Sequence, residues 1–74
     1  MKYNSNMEKI GTLVVDLEGT THEITEKLNE ILEGIYYEGN EVIDIKVTYA
    51  KEHGIDGFVI VYTIIYKGRE VPEE

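Results

Sequence analysis

Apolar and polar positions alternate from Ile10 to Leu17, with Leu13, Val15 and Leu17 on one side and Thr12, Val14 and Asp16 on the other. A period of two is that of a strand with one buried face. Glu18-Gly19-Thr20-Thr21 breaks the alternation. Thr20 and Glu23 then have the spacing of a capping box, in which each side chain satisfies a free N–H of a first helical turn. From there the period changes. Ile24, Leu28, Ile31, Leu32 and Ile35 recur at i, i+4, i+7, i+8 and i+11, the single apolar stripe of an amphipathic helix. Gly34 reads as a stop near its C-terminus. Tyr36-Tyr37-Glu38-Gly39-Asn40 reads as the connection to a second strand, Glu41 to Ala50. On that strand Ile43, Ile45, Val47 and Tyr49 are expected on one face and Val42, Asp44, Lys46 and Thr48 on the other. Residues 51–57, which include two glycines, suit a long hairpin tip before a third strand, Phe58 to Lys67.

This order predicts the α+β class: a small β-α-β-β domain whose three-stranded, mainly antiparallel sheet has order 2-3-1 and carries one helix on one face. Two strands joined by a helix run parallel, and a hairpin makes the third antiparallel to the second, so the third strand sits in the centre. Residues 1–9 are expected as a loose arm, 10–67 as the domain and 68–74 as an acidic tail. The central strand is apolar on both sides. Phe58, Ile60, Tyr62, Ile64 and Tyr66 point one way, and Val59, Val61, Thr63 and Ile65 the other. One helix covers one face, and an open apolar face of that size marks an interaction surface. Either set fits the open face on the alternation alone. The aromatic set, Phe58, Ile60, Tyr62, Ile64 and Tyr66, is assigned here as the interface of a homo-oligomer, with two-fold symmetry expected.

Composition strengthens that expectation. A chain of 74 residues buries only about 60% of the surface its unfolded form exposes, and folds of this size lean on disulfides, a metal or a partner chain. There is no cysteine, which removes disulfides and cysteine-rich zinc sites together. Ile, Val, Leu and Phe supply 22 residues, too many for a disordered chain. Fifteen acids against seven bases give a net charge of −8, which speaks against binding DNA or an anionic membrane. No run approaches the roughly 18 apolar residues of a membrane span, and the polar start, Met1 to Asn6, lacks the apolar core of a signal peptide. A soluble, cytoplasmic protein is expected.

Catalytic chemistry is not expected. Ser5, the only serine, lies in the polar arm; His22 stands at the helix start and His53 in the hairpin tip. Glu23, Glu26, Glu30 and Glu33 read as a solvated acidic face rather than a metal site, because metal ligands need fixed supporting shells. Neither metal nor cofactor is expected. The skewed residue is tyrosine, six copies beside one phenylalanine and no tryptophan. Tyrosine combines an apolar ring with a hydrogen-bonding tip, which suits interfaces and ligand pockets. Tyr36 and Tyr37 are placed to stack on a flat ligand, with Lys51, His53 and Arg69 as the cations to meet its phosphates.

Two segments, Val42-Ile43-Asp44-Ile45-Lys46 and Phe58-Val59-Ile60-Val61-Tyr62-Thr63-Ile64-Ile65-Tyr66, together with the acidic helix, carry a resemblance. Over about residues 12–67 the chain resembles the short acidic sporulation-expressed proteins of spore-forming bacteria and their phages. That resemblance brings no catalytic residues with it. The architecture is also similar to the dodecins, small shell-forming flavin binders whose flavin-stacking tryptophan has no counterpart here. A looser similarity is to phage sponges that trap the cyclic nucleotide signals of bacterial immunity. The resulting expectation is a non-enzymatic homo-oligomer binding a small anionic ligand, such as a cyclic nucleotide, between subunits as an anti-defence sponge. Two alternatives stand beside it. One is a protein-binding module or inhibitor acting through its acidic surface or a sheet edge, the other a structural component of sporulation.

Overall fold

The computed structural model describes residues 8–69. Strand β1 (Glu8–Gly19) leads into helix α1 (Thr21–Tyr37), which returns to strand β2 (Glu41–Glu52); a single 3-10 turn at Gly54–Asp56 then leads to strand β3 (Phe58–Arg69). The sheet order is β1-β3-β2, with β3 central and antiparallel to both neighbours. This is the expected α+β domain. Glu8, Lys9, Gly68 and Arg69, expected in the arm and tail, belong to strands, because β1 and β3 stay paired out to Glu8 opposite Arg69. The rest of the expected arm and tail lies outside the described residues.

Helix α1 begins where the capping spacing placed it. The Glu23 N–H donates to the Thr20 hydroxyl at 3.2 Å, and the Thr20 N–H donates to Glu23 Oε1 at 2.9 Å. Its end differs from expectation. Gly34 lies inside the helix, which runs on through Tyr36 and Tyr37. The stop is Gly39, whose φ of 86° is the left-handed conformation that glycine adopts without a Cβ penalty. There the Gly39 N–H donates to the Tyr36 carbonyl at 2.9 Å and the Asn40 N–H to the Ile35 carbonyl at 3.1 Å, closing a Schellman motif. Thr20→Ala removes the N-terminal cap alone and is expected to cost about 1 kcal/mol. Urea denaturation read by circular dichroism checks this, and Thr20→Ser should retain most of the stability.

Strand β2 carries two irregularities, between Val42 and Asp44 and between Val47 and Tyr49. Each inserts one residue and shifts the phase of alternation. Val42, Ile45, Val47 and Ala50 therefore pair with Tyr66, Ile64, Tyr62 and Ile60, while Asp44, Lys46, Tyr49 and Lys51 pair with Ile65, Thr63, Val61 and Val59. The uninterrupted alternation expected for this strand is corrected at its two ends. Val42 joins the Ile45 side, and Tyr49 leaves it. Polar groups hold both bulges: Asp44 Oδ1 accepts from the Ile45 N–H at 2.8 Å, and the Thr48 hydroxyl donates to the Val61 carbonyl at 3.2 Å.

The core is small. Leu17, Ile24, Ile35 and Ile64 are its buried apolar residues among those described, and Ile64, at 0% exposure, is its centre. Directly opposed residues of an antiparallel pair share a face. Ile64 pairs with Leu13, and Ile60 with the buried Leu17. The helix therefore packs on the face carrying Gly11, Leu13, Val15 and Leu17 of β1 with Phe58, Ile60, Tyr62, Ile64 and Tyr66 of β3, and leaves Leu13 of β1 and Ile45 and Val47 of β2 on that face 38%, 36% and 59% exposed. This corrects the assigned oligomer interface. The aromatic set lies beneath the helix of its own chain, and the open face carries Val59, Val61, Thr63 and Ile65.

Candidate functional site

The titratable side chains form pairs rather than clusters. His22 Nε2 lies 3.2 Å from Glu26 Oε2, one helical turn away, and both side chains are exposed. His53 Nδ1 lies 3.0 Å from Glu18 Oε2, so the hairpin tip reaches across the end of β3 to β1. Among the described residues no group of three or more histidine, aspartate or glutamate side chains is arranged to hold a metal ion. Ser5 lies outside the described residues.

The five residues expected to bind a ligand do not meet within one chain. Tyr36 and Tyr37 close helix α1, not a loop, and are 58% and 89% exposed. With Glu33 they line an open depression of about 410 Å³. Both rings are available for stacking, but no basic residue stands in the last turn. The helix C-terminus carries partial negative charge, so a phosphate placed directly over it would be disfavoured. Lys51 lies in β2 opposite Val59, and His53 follows that strand at the far end of the sheet. From Glu41, where β2 leaves the helix, the chain runs ten residues to Lys51, roughly 30 Å at 3.3 Å each. Arg69 ends β3 opposite Glu8, at the tyrosine end; its side chain lies outside the described residues. The geometry therefore makes two groups, Tyr36, Tyr37 and the backbone of Arg69 at one end and Lys51 with His53 at the other.

The tyrosine end also holds a concavity that sequence reasoning missed. Lys9, Ile10, Gly11, Asn40, Tyr66 and Gly68 line a cleft of about 280 Å³. Two glycines make it possible. The Tyr66 ring lies across Gly11 so closely that a Cβ there would stand 2.6 Å from its Cζ, and the Asn40 amide occupies the Cβ position of Gly68. An aromatic ring folded over a cross-strand glycine supplies the packing that glycine lacks. The sequence signal was Gly11 within the first strand, since a strand glycine marks close approach of a neighbour; Gly68, expected in the tail, gave none. Their partners follow only from the register.

The second candidate surface is the open face. Its centre, Val59, Val61, Thr63 and Ile65, is half-buried by neighbouring strands alone, and Ile10 and Val14 of β1 are 60% and 64% exposed. Tyr49, delivered there by the second bulge, adds an aromatic ring. No described helix is long and apolar enough to cross a membrane. Comparison with family models, with curated proteins and with solved structures finds no match to this chain.

Proposed function

We propose that this protein is a non-enzymatic homo-oligomer that holds a small, flat, anionic ligand between subunits, of the class of cyclic nucleotides, and acts by sequestering it. The observation that carries this reading is the pair of exposed rings, Tyr36 and Tyr37, beside a cleft that offers the Lys9 ammonium and the Asn40 amide. Stacking a base on an aromatic ring contributes about 1–3 kcal/mol and tolerates any base. The negative helix end directs the phosphates away from the tyrosines, toward Lys9. Lys51 and His53, at the far end of the sheet, are not part of this site. Sequestration asks for affinity and no bond-breaking, which agrees with histidines held in exposed pairs.

Thermal-shift and calorimetric titration against a panel of cyclic di- and trinucleotides tests the proposal. Tyr36→Ala and Tyr37→Ala should each weaken binding by about 5- to 150-fold, the equivalent of one lost stack, and leave the ligand-free melting temperature nearly unchanged. A panel without any shift removes the reading. A second reading, a protein-binding module, is favoured by the outer edge of β1. Over Ile10-Gly11-Thr12-Leu13-Val14-Val15 it is uncharged, and the strand has no bulge. Such an edge is a template for strand addition. A stoichiometric protein captured from host lysate, together with a blank nucleotide panel, would select it.

A further inference from the structure

We infer that the open sheet face packs against the same face of a second copy, about a two-fold axis parallel to β3, with each β1 lying over β2 of the partner subunit. The inference rests on the reading of the protein as a homo-oligomer and supplies its surface and symmetry. Read from β1 through β3 to β2, successive rows across this face are Glu18–Val59–Lys51, Asp16–Val61–Tyr49, Val14–Thr63–Lys46, Thr12–Ile65–Asp44 and Ile10–Lys67–Glu41. The apolar stripe runs down the middle, over β3. Toward the hairpin end the charge is divided by strand. The acids Asp16 and Glu18 stand on β1, and the bases Lys46 and Lys51 stand on β2.

That division selects the symmetry. An axis parallel to β3 exchanges left and right and keeps each row at its own height. It sets Val59, Val61, Thr63 and Ile65 against their own mates, brings Glu18 over the lysine side of the partner, and leaves its one like-charge pair, Lys67 with its own copy, in the outermost row at the rim. An axis across the strands would instead set Lys46 against its own copy in the middle row and lay the Val59 row over the Lys67 row, breaking the apolar match. Three strands at about 4.8 Å spacing and five rows give a face of about 14 by 30 Å, or about 420 Å² in projection. Side-chain relief adds to that figure, which is about half the roughly 800 Å² per subunit of a standard interface and places the contact at the small end. The core of the described chain has only four buried apolar residues, so the pairing would add a layer on the face that the helix leaves open.

Charge reversal across the proposed contact is the test, read by analytical ultracentrifugation at graded concentration. Within one chain Glu18 and Lys51 stand on opposite sides of β3, so restoration by a double reversal reports contact between copies. Glu18→Lys and Lys51→Glu should each weaken dimerisation by about tenfold, and the double variant should restore it. The restoration also controls for the Glu18–His53 contact that the first change removes. Val61→Lys should leave a folded monomer by circular dichroism; if it does not fold, the surface reversals still decide the matter. In a chain without cysteine, Thr63→Cys should be bridged by a thiol-specific linker of about 10 Å, the spacing of stacked sheets, and Leu13→Cys should not. A wild-type monomer at tens of micromolar, a double variant no tighter than the singles, or bridging through Leu13 alone overturns the inference, the last in favour of edge-to-edge pairing. None of these readouts uses a nucleotide, so loss of the ligand reading leaves them standing.

Discussion

Ile64→Ala is expected to lower the unfolding free energy by about 2–5 kcal/mol, the cost of losing buried methylenes plus the cavity left behind. Ile64 has no exposed surface and sits in the central strand under the helix, facing Leu13 and Ile45 on its neighbours. No other described side chain is as completely enclosed, and a core of four buried residues has little means of collapsing into the gap. Small domains hold only a few kcal/mol in reserve, so the variant should be largely unfolded near physiological temperature. Urea titration read by circular dichroism measures this. Ile55→Ala is the control: Ile55 is fully exposed at the hairpin tip and should change stability by no more than about 0.5 kcal/mol. Equal effects from the two would mean that the helix does not pack over Ile64.

Gly57→Ala should follow as the second large effect, about 2–4 kcal/mol from two sources that add. Its φ of 118° lies where side chains are strained, at a typical cost of about 1–3 kcal/mol. An added Cβ would also collide with the Gly19 carbonyl and the Thr20 N–H, both backbone groups that cannot rotate away. The collision falls where β1 ends and α1 begins. The variant should therefore lose amide protection at the Gly19–Phe58 end of the sheet before the Glu8–Arg69 end, as hydrogen exchange would show. Gly34→Ala provides the opposite sign. Gly34 lies within the helix with open space around its Cα, so alanine should stabilise by about 0.5–1 kcal/mol. A Gly57 variant as stable as the wild type would mean that the hairpin tip relaxes freely, against the geometry described.

The elements were legible wherever periodicity was clean. The stripe from Ile24 to Ile35 and the Thr20–Glu23 spacing placed α1 to its first residue. The helix end was not legible, because a glycine inside a helix and one that ends it look alike until the left-handed φ is seen at Gly39. The bulges of β2 were hidden for a related reason. Val42 to Ala50 reads as unbroken alternation, and only pairing against β3 shows that Ile43 and Thr48 are extra. For the candidate site, the exposed tyrosines could be named from composition and position. That Lys51 and His53 lie at the far end of the sheet could not, since a strand of 12 residues carries its end about 40 Å from its start.

By itself, then, the sequence determined a strand, a helix and a hairpin, the central place of β3, and the inward side of β1 at Leu13, Val15 and Leu17. It left β3 undecided, because a strand apolar on both faces fits either way and a period of two carries no preference. Register decided it. With Leu13 opposite Ile64, the aromatic set turns toward the helix and Val59, Val61, Thr63 and Ile65 stand on the face without a helix. A slip of one residue would exchange the two sets. That choice belongs to the tertiary structure because it depends on which residues stand opposite one another across strands whose partners lie 39 to 61 positions apart in the chain.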